Sequence, residues 1–343
     1  MRARPLAATI AVALLAFAGP AFAAGADDLA LLPSDADIVL HLDVKGLQKS
    51  SLVQDLIKQA KMNPQAQKEL DAFKENYGLD PEKDLNALTI MFPAASKTGQ
   101  ALFVIDSNAK YDRLLAGARK NDPGISEATH SGVKIHQGSK GMAMAAVGDK
   151  VLFGDVELLK KAINDRKGKG AQGNKSLMNL VKSTNVDGHL WFVADLPESV
   201  RQKMAQGDPE LKGAESVRGS LDLSSGLKMQ VIVGGDKAFA QKLVSSLDTQ
   251  LKQAREEQAK NPMMAAMGVT ALLEGIKTEV KNGEALLNVD LSDAQVQQLK
   301  ALVTMAMGMA AAGAMQAQPP AAPAQKAPAQ KAPVQKAPAQ KAQ

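Results

Sequence analysis

Apolar and polar positions along this chain follow two periods, one suited to strands and one to helices, and the two alternate. Ile38 to Val44 is an apolar run of strand length. Leu52, Val53, Leu56, Ile57 and Ala60 then fall on one helical stripe. Pro64 opens a second helix with Ala66, Leu70, Phe73 and Tyr77 on one face, and Gly78 stops it. Leu88 to Phe92 and Ala101 to Ile105 predict a hairpin around Thr98-Gly99. Tyr111, Leu114, Leu115 and Ala118 mark a further helix. Short strands follow at Val133–His136, Met142–Val147 and Val151–Phe153, and Asp155 caps a helix reaching Ile163.

From His189 the order repeats. His189 to Ala194 predicts a strand that ends at Asp195, as the first strand ends at Asp43. Pro197 suits the first turn of a helix, where a missing N–H costs nothing. Val217–Leu223 and Leu227–Val233 form a hairpin around Ser225-Gly226. Asp236 caps a long helix with Ala240, Leu243, Leu247, Leu251 and Ala254 on one face. Thr278–Lys281 and Ala285–Leu291 flank Asn282-Gly283, a strong hairpin signal. Ser292 with Gln295 is a capping box for a final helix. The pattern predicts an α+β fold: two tandem β-α-β-β-α-β-β-α units with largely antiparallel sheets, 24–167 and 176–317.

The ends and the middle differ in kind. Arg2 and Arg4, the apolar run Leu6–Phe17, the break at Gly19-Pro20 and the small-residue site Ala21-Phe22-Ala23 read as a cleaved secretory signal over 1–23. The run is shorter than the roughly 20 apolar residues of a membrane span. Gly168 to Asn174 predicts a flexible, Gly-rich joint within 168–175 between the units. From residue 318 to 343 the chain turns to alanine, proline, lysine and glutamine, with AQKAP-type repeats from Ala324. Recurrent proline and the lack of apolar bulk predict a disordered, polyproline-leaning tail, which at about 3.1 Å per residue spans roughly 80 Å.

Charge sharpens this division. Of the formal +5, four charges sit on Lys326, Lys331, Lys336 and Lys341 and two on Arg2 and Arg4, which leaves about −1 for the body. The basic pI of 9.1 therefore belongs to the ends, and a near-neutral body is not a nucleic-acid surface. The tail lysines are suited instead to an anionic envelope surface or macromolecule. With no cysteine, the chain has neither disulfides nor thiolate chemistry.

Several patterns imitate chemistry. Gly168, Gly170 and Gly173 match a dinucleotide-binding glycine pattern and Lys175-Ser176 follow, but a helix rather than a strand precedes them. Ser107-Asn108-Ala109-Lys110 and Lys97-Thr98-Gly99 match serine-acylase elements in the wrong order, without the element between them. His41, His130, His136 and His189 show no i, i+4 pair; His130 and His136 flank one turn and are close enough in sequence to meet, with no carboxylate cluster beside them. Met305, Met307 and Met309, with Met263, Met264 and Met267, suit core packing, an apolar docking groove or, less well, copper. Asp43 and Asp195 hold matching places, which invites a paired-carboxylate reading; a strand-ending aspartate before a helix more often caps it. No catalytic, cofactor-binding or metal residue is assigned.

Leu31-Leu32-Pro33-Ser34-Asp35-Ala36-Asp37, an apolar strand and then Asp43-Val44-Lys45-Gly46-Leu47 resemble the opening of a group of exported bacterial proteins with a mature Leu-Pro-x-Asp-Ala segment. The resemblance implies repeated α+β units and brings no activity or site residue with it. The expected role is a soluble periplasmic or secreted protein, non-enzymatic, that binds or scaffolds through its body and cationic tail. The rival readings are a carrier or holdase for apolar clients using the Met-rich helices 262–275 and 296–315, and a hydrolase with an unrecognised site.

Overall fold

The computed structural model describes residues 26–94, 100–260 and 269–301. Residues up to Lys300 belong to one compact unit; of the remaining unit, Ala301–Gln343, only Ala301 is among the described residues. The strands are β1 (Ile38–Asp43), β2 (Leu85–Phe92), β3 (Leu102–Ser107), β4 (Ser126–His130), β5 (Val133–Gln137), β6 (Met142–Val147) and β7 (Lys150–Asp155), then β8 (Leu190–Asp195), β9 (Ser216–Asp222), β10 (Leu227–Gly234), β11 (Ile276–Lys281) and β12 (Glu284–Leu291). All twelve join one sheet in the order β11-β12-β10-β9-β8-β1-β2-β3-β7-β6-β5-β4, and every pairing is antiparallel.

The fold class is the α+β, antiparallel one that the pattern predicts. The sheet, however, does not stop between the halves. β1 pairs with β8, Ile38 facing Ala194 and Leu42 facing Leu190, so both halves extend outward from one central pair. The Gly-rich joint is packed rather than free. Ala171 is fully buried, its N–H donates to the Leu32 carbonyl, and Asn174 donates to that of Ala36. Gly170 sits at φ +50, where an added Cβ would meet the Leu32 carbonyl oxygen at 2.3 Å. Only glycine fits that approach.

Local signals are realised closely. Asn63 caps α3 (Pro64–Tyr77), which has proline in its first turn and ends at a left-handed Gly78. Asp155 accepts from Glu157 and Leu158 N–H to start α5 (Val156–Asp165). Asp236 caps α8 (Lys237–Ala259). Ser292 and Gln295 exchange the reciprocal bonds of a capping box. Asn282 and Gly283, both at positive φ, close the last hairpin. Pro197 stands one place earlier than expected, as the N-cap of α7 (Glu198–Gly207). The Thr98-Gly99 turn lies outside the described residues.

Helices cover the two sheet faces unequally. One face of the first half, with Val39, Met91, Leu102 and Val104, lies under Leu29 and Leu32 of the N-terminal segment, under α5, and under α6 (Lys175–Lys182). The other face carries α3 and α4 (Tyr111–Asn121) over Met144 and Val151. In the second half α8 packs on Ala194 and Ala285. Its opposite face is mixed, with Ser220, Gln230 and Asn288 in cross-strand register beside buried Ile232 and Leu286. Strands covered on both faces are apolar throughout, and those covered on one face alternate.

A buried polar cluster sits at the central pair. His41 stacks on Trp191 with ring centroids 4.5 Å apart. Its Nδ1 lies 3.3 Å from the Thr89 hydroxyl, which donates to Asp28 at 3.1 Å. Burial pushes the Asp28 carboxyl up to about 6, against the opposing charge of Lys150, and pushes the His41 imidazole down to about 3. A carboxyl with a higher pKa folded than unfolded adds stability that is complete below about 3.8 and lost as pH rises through about 6. The imidazole acts oppositely, subtracting stability as pH falls from 6.5 towards about 3. Between pH 4 and 6 the two largely offset each other. Asp28→Asn is therefore expected to stabilise the protein at pH 8 by up to about 3 kcal/mol and at pH 4.5 by only about 1 kcal/mol. Urea denaturation at both values checks it; an equal difference at both would refute the assignment to Asp28.

Candidate anion-binding cleft

A cleft of about 580 Å³ opens where α4 crosses the strands at one end of the sheet. It depends on the β4–β5 hairpin. Ser131 and Gly132, at φ 49 and 78, form a two-residue turn, which sets Glu127 opposite His136. Lys134 shares that face with His136, two residues along the strand. Its ammonium lies 2.8 Å from Glu127.

His136 is only 4% exposed and forms the floor. Its Nδ1 is 2.7 Å from the Tyr111 hydroxyl and its Nε2 is 3.4 Å from Glu127. His136 thus joins the Tyr111 hydroxyl through one ring nitrogen and faces the Glu127 carboxylate with the other. The Tyr111 hydroxyl also lies 3.2 Å from the Met144 carbonyl oxygen. Burial pushes the Tyr111 phenol up to about 12, so it stays protonated and acts as a donor rather than a nucleophile. The hydrogen bond from Lys134 is the main influence holding the Glu127 carboxyl low.

Leu115, Val133 and Val147 supply apolar wall, and Arg119, Arg166 and Asp112 complete the charged lining. Arg119 comes from the last turn of α4 and Arg166 follows the end of α5. Among the described residues neither arginine pairs with a carboxylate, unlike Lys134. The floor is satisfied internally; the rim is not.

The other candidates do not converge. Antiparallel pairing of β1 with β8 sends Asp43 and Asp195 to opposite ends, about 20 Å apart at some 3.4 Å per residue. Asp43 caps α1 (Val44–Leu47) through the Gly46 N–H at 2.7 Å; Asp195 is not the cap of α7. Ser107 accepts from the Ala109 N–H, a local turn, while Lys97-Thr98-Gly99 lies outside the described residues. His130 meets Asn164 rather than His136, and His189 accepts from the Leu223 N–H. No group of three or more metal-ligating side chains occurs among the described residues. The six methionines and the four tail lysines lie outside them. The grouping of Tyr111, Glu127 and His136 was missed because Ser126–His130 has no apolar alternation. Ser131-Gly132 was the available signal: a hairpin there fixes the 127–136 pairing.

Tyr111→Phe is expected to lower stability by about 1–3 kcal/mol, since it deprives the buried His136 Nδ1 of its partner. Glu127→Gln, at an exposed carboxylate, should change it less. Denaturant midpoints of the two variants check the order; reversal would place the structural bond on Glu127.

No family model matches the chain, and no curated protein matches it. Among solved structures the chain is similar to TP0453. In its crystal form III the TM-score is 0.40 at 10% identity, over 81% of this chain and 97% of that one. In its crystal form I the TM-score is 0.42 at 12% identity, over 82% and 98%.

Proposed function

We propose that the protein is an exported, non-enzymatic binding protein of the periplasm or cell exterior. In this reading Lys326, Lys331, Lys336 and Lys341 attach it to an anionic envelope surface or macromolecule. The observation that carries the reading is the cleft beside α4, where two arginines without carboxylate partners flank a floor whose polar groups engage one another. Such a site is equipped to hold an anion. The Tyr111 phenol is held protonated there and does not serve as a nucleophile. Among the described residues no helix is long and apolar enough to cross a membrane.

The tail supplies the attachment. Four lysines at about 1 kcal/mol each near an anionic surface contribute roughly 4 kcal/mol, enough for weak, reversible binding. Removing residues 318–343 is expected to abolish co-sedimentation with anionic vesicles or wall material. Moderate salt should mimic the truncation, because exposed charges are screened beyond about 8 Å at physiological ionic strength. Co-sedimentation indifferent to both treatments would make the tail a passive extension.

A further inference from the structure

The cleft beside α4 carries more than a general affinity for anions. We propose that it binds a small organic monocarboxylate, its head group on Arg119 and Arg166 and its apolar body against Leu115, Val133 and Val147. The inference rests on the binding-protein reading above and names the ligand class of that site.

Charge, shape and size lead to the same class. The lining holds three cations, Arg119, Lys134 and Arg166, against two carboxylates, Asp112 and Glu127. Among these five side chains one positive charge is left over, and a monoanion neutralises it. Lys134 is engaged by Glu127 at 2.8 Å, so the surplus falls to the guanidinium groups. Guanidinium presents a planar fork of donors that matches a carboxylate in two-point contact. At about 580 Å³ the cleft is far larger than an inorganic oxyanion requires, and lies within the range of sites for small organic molecules. The edges of Leu115, Val133 and Val147, each under a tenth exposed, give the remainder of such a ligand a shallow surface to cover. Tyr111 and His136, bonded to one another, present a fixed floor and need no reorganisation.

Calorimetric titration of the full chain tests this with benzoate, its neutral analogue benzamide, and phenyl phosphate as probes. Benzoate is expected to bind saturably, and benzamide at least tenfold more weakly. The paired substitution R119A/R166A should weaken benzoate about tenfold or more, the scale of losing charge-assisted hydrogen bonds. Neither arginine holds a structural ion pair, so this variant is expected to keep the parent's circular dichroism. If it does not fold, R119K/R166K keeps the charge but loses the fork, and should bind benzoate several-fold more weakly. Absence of saturable benzoate binding, equal affinity for benzamide, tighter binding of phenyl phosphate, or affinity unchanged in the variant that folds would each overturn the proposal. Truncation at residue 318 should leave benzoate binding intact. Benzoate binding without surface attachment would sink the envelope reading and leave the cleft; attachment without benzoate binding would do the reverse.

Discussion

The structure depends on the pairing of β1 with β8. Each strand lies at the inner edge of its own half, and each would present a row of unpaired N–H and C=O groups if the halves stood apart. Joined antiparallel, they satisfy each other and place Val39 and Val193 in the same buried layer. The stacking of His41 on Trp191 occurs across this seam. The seam therefore fixes both the continuity of the sheet and the position of its most deeply buried polar atoms. Asp28 reaches that cluster from the N-terminal segment and ties it to Thr89. A carboxyl and an imidazole, each disfavoured by burial in its charged form, are joined here through the Thr89 hydroxyl.

Outward from the seam the two halves use the same order, β1-β2-β3-β7-β6 on one side and β8-β9-β10-β12-β11 on the other. They differ in what lies beyond. The first half adds β5 and β4, and β4 is the outer edge, nearly all exposed. An edge strand needs no apolar alternation, because neither of its faces has to be buried. It is also where charged side chains can be placed without desolvation, so Glu127 and Lys134 are found at this end. The cleft is a product of that addition: β5 brings His136 and β4 sets the Glu127 carboxylate across from it.

Legibility in the sequence followed physical strength. Caps, turns and apolar stripes act within a few residues, so Asp155, Asp236, Ser292 with Gln295, and Asn282-Gly283 could be read directly. The strand at Ile38 was legible because one of its faces is buried and the other half-covered by apolar neighbours. Long-range pairing was not legible. Nothing local in Ile38–Asp43 states that its second neighbour is Leu190–Asp195, 150 residues on. The glycines at 168–173 suggested freedom, whereas Gly170 is there because the Leu32 carbonyl comes too close for any side chain. Composition cannot distinguish a glycine that permits motion from one that permits contact. Of the cleft, Tyr111 was visible only as one residue of a helical stripe and His136 only as one of four scattered histidines; their meeting needed the register of a strand whose sequence, Ser126–His130, looks like a loop.

The seam also limits where a site can form. Matching positions in the two halves sit at opposite ends of an antiparallel pair, as Asp43 and Asp195 do. Residues that correspond in the pattern near the seam are thereby held apart, and each half must build any constellation from its own parts. The added β4–β5 hairpin belongs to the first half alone, and with it come Glu127, Lys134 and His136. Arg119 and Arg166 also come from the first half, from the ends of the helices that cover its two faces. A helix end supplies a cation where backbone carbonyls already favour one, and an edge supplies it with access to solvent. The same geometry that keeps the shared pattern from making a paired-carboxylate centre places the unshared hairpin beside Arg119 and Arg166, which pair with no carboxylate among the described residues.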